Sequence, residues 1–208
     1  MEKQDKLQWI YSSRDNQELT ERYNQWAKDY DHDLTQEIPS RGPELSVGFF
    51  TRYVAREAKV LDAGAGTGIV GKILAKQGYT DLAAMDLSEG MLEEARRKNV
   101  YRELHQMVMG EPLDFATDSF DATICVGVLT IGHAPASSLD ELIRITRPGG
   151  YIVFTLHTDT YKNSGFKEKL IALESEDKWK LVEESEKLRL IAAEPDITHQ
   201  IWVYQVTS

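Results

Sequence analysis

The stretch VLDAGAGTG, Val60 to Gly68, constrains this chain more than any other. A short apolar run carries an aspartate, and Gly64, Gly66 and Gly68 then alternate with Ala65 and Thr67. IVGKILAKQG follows and reads as a helix. A strand that passes into a helix over such a loop is the opening unit of an open α/β sheet. Glycine is required where φ is positive, or where something must lie against the main chain. One glycine would serve a tight turn. Three at alternate positions beside Asp62 point to a ligand on the loop, close to the exposed N–H groups and positive end of a helix.

Beyond the loop, strand and helix patterns alternate. DLAAMDL reads as a second strand, and SEGMLEEARRKN as a helix with Ser88 as its N-cap. LHQMVMG is a third strand and FDATICVGVL a fourth. SSLDELIRITRPGG is a helix stopping at Pro148, and YIVFTLH is a fifth strand. Gly78 stands where a helix C-terminal glycine belongs. Strands separated by helices of this length predict a parallel sheet covered on both faces. FKEKLIALESEDK adds a helix. WKLVEESEKLRLI and THQIWVYQVT then follow with no helix between them, so they pair antiparallel. The expected fold is α/β, a doubly wound, mostly parallel seven-stranded sheet with a C-terminal antiparallel strand.

Ahead of the sheet, LTERYNQWAKDYDHDL places Tyr23, Trp26, Ala27, Tyr30 and Leu34 at helical spacing. Pro39 and Pro43 flank Gly42 and break the chain before a second helix, GPELSVGFFTRYVAREA. Residues 1–45 are read as an N-terminal helical segment of the same domain, and residues 46–208 as the domain proper.

A chain of 208 residues, 41% hydrophobic, suits one domain with a substantial core. No stretch approaches the roughly 18 apolar residues of a membrane span. The segment MEKQDKLQWIYSSRDNQ is polar and unlike a secretory signal, so a cytoplasmic protein is expected. Cys125 is the single cysteine, which leaves no intrachain disulfide and no cysteine-based metal site; no metal is expected. The net charge of −10 argues against a nucleic acid backbone as partner. Arg96, Arg97 and Lys98 lie beside Glu93 and Glu94, the pattern of a solvated helix face. A small molecule is the expected partner, with no membrane, for a monomeric protein.

Gly66-Thr67-Gly68-Ile69-Val70-Gly71 fits the dinucleotide expression G-x-G-x-x-G, with Asp86 further on. In a dinucleotide site, however, the first glycine follows the strand directly. Counted from Gly64, the last glycine position holds Ile69, so the register disfavours a nicotinamide oxidoreductase. VLDAGAGTG instead resembles the first motif of class I, Rossmann-like S-adenosylmethionine-dependent methyltransferases, an acidic residue followed by G-x-G-x-G. The resemblance continues through Asp86 ending the second strand, SFD (Ser119 to Asp121) opening the fourth and RPGG (Arg147 to Gly150) before the fifth. It spans roughly Tyr23 to Val206. A narrower likeness, to the methyltransferase-like proteins of the Williams–Beuren syndrome chromosome region, rests on VLDAGAGTGIVG, on GEPL with FDA, and on VGVLTIGHAP.

The resemblance implies S-adenosylmethionine as cofactor, held by the loop residues Gly64, Ala65, Gly66 and Thr67. Asp86 would accept from both ribose hydroxyls, since a carboxylate has two acceptor oxygens. Leu87 and Met91 would flank the adenine, and Asp62 would serve the cationic methionine end, directly or through water. The backbone of Cys125 and Val126 would touch the cofactor. Many relatives read the adenine amino group with an aspartate after the third strand; here that position is Met109, with Glu111 two residues on as the stand-in. Tyr30-Asp31, preceded by Trp26-Ala27, resembles an A-x-x-Y-D lid whose tyrosine reaches the cofactor carboxylate. No catalytic residue is assigned; His133 and His157, in loops after the fourth and fifth strands, are the candidates for a base. The implied activity is direct in-line methyl transfer to a small molecule or a protein side chain. The alternative is a protein that binds S-adenosylmethionine or S-adenosylhomocysteine without transfer.

Overall fold

The computed structural model describes residues 3–130 and 132–208. The apolar runs become seven strands: β1 Val60–Ala63, β2 Leu82–Asp86, β3 Glu103–Gln106, β4 Phe120–Leu129, β5 Thr146–His157, β6 Trp179–Glu184 and β7 His199–Val206. They form one sheet in the order β3-β2-β1-β4-β5-β7-β6. β1 pairs parallel with β2 and β4, and the parallel run extends to β3 on one side and β5 on the other. β7 is antiparallel to both β5 and β6. This is the doubly wound sheet the alternation predicts.

Eight α-helices accompany the sheet among the described residues: α1 Lys3–Tyr11, α2 Asn16–His32, α3 Gly42–Phe50, α4 Ile69–Lys76, α5 Glu89–Arg97, α6 Ser138–Ile145, α7 Thr158–Asn163 and α8 Phe166–Ser175. Successive residues of a central strand face opposite sides, and both sides are buried. Val60 packs with Val47 and Phe50 of α3 and with Val70 and Leu74 of α4. Leu61 and Ala63 lie on the other face, in the cluster that holds Leu139 and Leu142 of α6. Ser88 caps α5 as expected, accepting from the Met91 N–H at 3.1 Å. Gly78 follows α4 at φ +97°, a left-handed conformation that favours glycine.

Boundaries differ from the sequence reading at β3, which ends at Gln106 and not Gly110, at β6, which ends at Glu184 and not Ile191, and at three further places. The helix before Pro148 ends at Ile145, and Thr146 already pairs with Phe120 as the start of β5. The register then shifts, and Ala122 pairs with Tyr151. The reason is an interlock between SFD and RPGG. Arg147 Nε lies 2.7 Å from Asp121 Oδ1, and a Cβ on Gly150 would fall 2.5 Å from the Asp121 carbonyl oxygen. Those two motifs therefore brace the amino-terminal ends of β4 and β5. The second difference is at the N-terminus, where α1 precedes α2 as a separate helix. α2 runs into a π-helical turn over Asp33–Glu37. There the buried Asp33 carboxylate accepts from Trp26 Nε1 and pairs with Lys6 of α1, both at 2.5 Å. Third, α3 stops at Phe50 and does not continue through TRYVAREA.

No helix among the described residues is long and apolar enough to cross a membrane. No group of three or more metal-ligating side chains occurs among them.

Phe154 in β5 is fully buried, its ring near-parallel to those of Trp179 of β6 at 6.1 Å and Tyr204 of β7 at 6.0 Å, which stack on each other at 4.0 Å. Removing it empties the joint between the parallel sheet and its antiparallel end. Phe154→Ala is expected to lower unfolding free energy by about 3–5 kcal/mol, read by urea titration. A loss under about 1 kcal/mol, typical of a surface position, would contradict that packing.

Candidate active site

The chain leaves β3 and crosses to the far side of β1 to form β4, so strand order reverses between β1 and β4. Ligands of open α/β sheets lie outside the carboxyl ends of strands at that point. A cleft opens there. Its floor comes from Gly64 and Gly66 after β1, Asp86 at the end of β2 and Leu87 next to it, and Val126, Gly127 and Val128 at the end of β4. Met91, Met107, Val108 and Met109 give it an apolar wall.

The three loop glycines do three different things. All have positive φ: +76° at Gly64, +54° at Gly66 and +85° at Gly68. A Cβ on Gly64 would lie 2.2 Å from Val128, and one on Gly68 would lie 2.9 Å from the Tyr101 ring. Both make room for the protein itself. At Gly66 the nearest atom is Tyr30 Cε1 at 4.0 Å. Of the three, only Gly66 has open space where a side chain would stand, so its main chain is left bare. Ala65 and Thr67 face inward: Ala65 donates its N–H to the Met85 carbonyl at 2.9 Å, and the Thr67 hydroxyl donates to Asp31. Neither side chain lines the cleft.

Asp86 does line it. One carboxylate oxygen accepts from the Gly66 N–H at 2.8 Å, the other from the Ser88 N–H at 2.9 Å. A carboxylate offers about four acceptor directions, so capacity remains on both oxygens for two ligand hydroxyls. Burial outweighs the backbone donors and pushes its carboxyl up to about 6. Leu87 and Met91 border the same space, as the adenine assignment needs.

Above the floor lies α2. Asn16, Leu19, Tyr23 and Tyr30 recur at helical spacing and form the stripe that faces the cleft. Trp26 and Ala27 are buried between this helix and its neighbours, with Trp26 beside Tyr30 at 4.7 Å between rings. Side chains fasten α2 at its middle and at its C-terminal end. Asn24 Oδ1 accepts from the Ser88 hydroxyl at 2.7 Å and from the Gly90 N–H at 2.8 Å, at the start of α5. Asp31 pairs with Lys98 at 2.6 Å, and Lys98 also donates to the Thr67 carbonyl at 2.6 Å. Lys98 thus departs from the solvated face read from its charge run; Arg96 and Arg97 conform to it, pairing with Glu89 and Glu94 at the surface. Across the mouth of the cleft, the Tyr23 hydroxyl and His133 Nε2 are 2.9 Å apart.

Other expected residues stand elsewhere. Glu111 is exposed and outside the cleft, while Met109 lines it. Cys125 is fully buried in the core behind β4, its thiol raised well above the ordinary range by burial, whereas Val126 reaches the cleft wall. His157 turns away: its Nδ1 accepts from the Asp159 N–H at 3.1 Å and caps α7. Of the two candidate histidines only His133 lines the cleft. Asp62 is buried beneath the loop, where its carboxylate accepts from the Tyr101 hydroxyl at 2.5 Å. Asn24, Lys98 and Tyr101 escaped the sequence reading, because each acts through contacts between distant segments. Gly71, a glycine inside a helix, was the one local sign of a partner as close as Tyr101.

Residues 61–154 match the sequence family described as a methyltransferase domain. Human methyltransferase-like protein 27 is 36% identical over 154 residues, covering 72% of this chain and 62% of that protein. A demethylmenaquinone methyltransferase of Clavibacter sepedonicus is 44% identical over 108 residues, covering 50% of this chain and 43% of the relative. This chain therefore spans less than two thirds of either relative. Among solved structures, a [4+2]-cyclase, SpnF, superposes with a TM-score of 0.73 at 13% identity over 94% of this chain and 98% of that one. A TehB-like SAM-dependent methyltransferase from Corynebacterium glutamicum gives 0.64 at 17% identity over 89% and 98%. These structural likenesses establish the shared fold.

Asp86→Ala is expected to weaken S-adenosylhomocysteine binding at least about tenfold, the loss of a charge-assisted hydrogen bond, with the protein still folded. In the wild type the ionised carboxylate is the better acceptor, so affinity should decline as pH falls through about 6. Asp86→Asn should flatten that decline. Calorimetric titration across pH reads both effects; a folded Asp86→Ala protein with unchanged affinity would refute the ribose assignment.

Proposed function

We propose, for a chain whose residues 61–154 belong to the class I S-adenosylmethionine-dependent methyltransferase family, that it moves a methyl group by direct in-line displacement to a small molecule or a protein side chain. The supporting observation is the pairing of Gly66 and Asp86 under α2. Bare main chain and a buried carboxylate meet there, at the switch point of the sheet. S-adenosylmethionine, when bound, supplies a methyl already activated on a sulfonium.

The chain's own contribution is alignment. Asp86 accepts from ribose hydroxyls while its two backbone donors hold it in place. Leu87, Met91 and the wall of Met107, Val108 and Met109 take the adenine by apolar contact. Thioethers adapt well to a ring edge. Gly66 leaves the space a side chain would fill, and Tyr30 closes it from above. α2 excludes water, which favours a single attack geometry. His133, bonded to Tyr23, takes the proton of an acceptor that must lose one. Asp62 serves the methionine end through the loop it supports. The strongly negative net charge, −10, favours an acceptor that is neither nucleic acid nor an anionic membrane surface.

Cofactor binding without transfer is the second reading. A cyclase with the same fold shows that architecture alone does not fix activity, and Met109 takes the place of an adenine-reading acid.

With labelled methyl donor, a screen of small-molecule and peptide acceptors should yield a methylated product. On that acceptor, His133→Gln should slow transfer by about a hundredfold, with S-adenosylhomocysteine affinity little changed. Intact cofactor binding with no transfer across the screen would favour the second reading.

A further inference from the structure

Tyr101, between α5 and β3, lies against the first turn of α4. A Cβ on Gly71 would fall 2.2 Å from the Tyr101 ring, so Gly71 is small because the tyrosine is there. The Tyr101 hydroxyl accepts from the Gly71 N–H at 3.1 Å and donates to Asp62 at 2.5 Å. The ring also packs on Gly68, at 2.9 Å from its Cβ position. The first N–H groups of a helix after a glycine loop are the usual seat of a phosphate. Here that seat holds an aromatic ring, and behind the ring stands a carboxylate.

We infer that Tyr101 sets ligand specificity at this cleft, barring nucleotides that carry phosphates and admitting adenosyl ligands that do not. The match to G-x-G-x-x-G then has a different cause from the one it suggests: its last glycine accommodates Tyr101. Sterics and charge act together. A diphosphate would have to displace the ring, break two hydrogen bonds and approach Asp62. Tyr101 is not part of the cleft lining and stays clear of the expected position of the methyl group; it fills the start of α4 beside the cleft. The inference rests on the adenosyl reading of the cleft.

The test compares ADP with adenosine, which share everything except the diphosphate, by calorimetry. Wild type and Tyr101→Phe should show no preference for ADP, because the ring remains. Tyr101→Ala combined with Asp62→Asn removes ring and charge, and the ratio of ADP to adenosine affinity should rise at least about tenfold, as for a recovered charge-assisted hydrogen bond. General loosening of the fold would change both ligands together and leave the ratio alone. A folded double variant with an unchanged ratio would overturn the inference, as would Tyr101→Phe gaining as much as the double variant. Wild-type protein that prefers ADP to adenosine tenfold would overturn it too, whether or not the variants fold. S-adenosylhomocysteine binding to wild type is measured alongside. Its failure counts against the cofactor reading, whereas the ADP ratio judges Tyr101.

Discussion

Asp86, the last residue of β2, accepts from Gly66 on one carboxylate oxygen and from Ser88 on the other, while its carbonyl accepts from the Met107 N–H at 3.0 Å. Three segments that border the cleft are thus fixed by one residue: the glycine loop, the start of α5 and the exit of β3. A buried carboxylate without a cation is costly unless its oxygens are bonded. Burial raises the Asp86 carboxyl further than its backbone donors lower it. Such a group is stabilised further by hydroxyl donors from outside the chain. Ligand affinity and the arrangement of the loop therefore draw on the same atoms.

The architecture was legible because burial on both faces forces short apolar strands, and because glycines, Ser88 and the helix periodicities punctuate them. All seven strands were placed. Boundaries failed where long-range contacts decided them. Thr146 leaves the helix because Asp121 and Gly150 interlock, which a local pattern does not reveal. The site shows the same division. Gly66, Asp86, Leu87, Met91, Val126 and Tyr30 meet at one cleft as their order along the strands implied. Ala65, Thr67 and Cys125 belong to neighbouring positions whose side chains face inward, and Glu111 sits past the wall. A one-residue step in a strand or tight loop reverses which side a group faces, so adjacency in sequence was a poor guide there.

Motif conformity also conceals several physical causes under one spelling. Of the glycines at 64, 66, 68 and 71, only Gly66 leaves open space over the cleft. Val128 crowds Gly64, and Tyr101 crowds the other two. SFD and RPGG, which carry much of the family resemblance, brace the opposite end of the sheet. What a family keeps in common can thus be scaffold as readily as binding surface.

The fastening of α2 has a kinetic corollary. Its stripe of Asn16, Leu19, Tyr23 and Tyr30 roofs the pocket, and its hold consists of Asn24, Asp31 and the Tyr23–His133 bridge. Partly exposed hydrogen bonds of this kind contribute about 0.5–1.5 kcal/mol each, enough to keep the roof shut yet weak enough to let it swing. A nucleoside buried below must wait for that swing before it departs. Under the proposed transfer, release of the spent donor depends on the same contacts that close the roof.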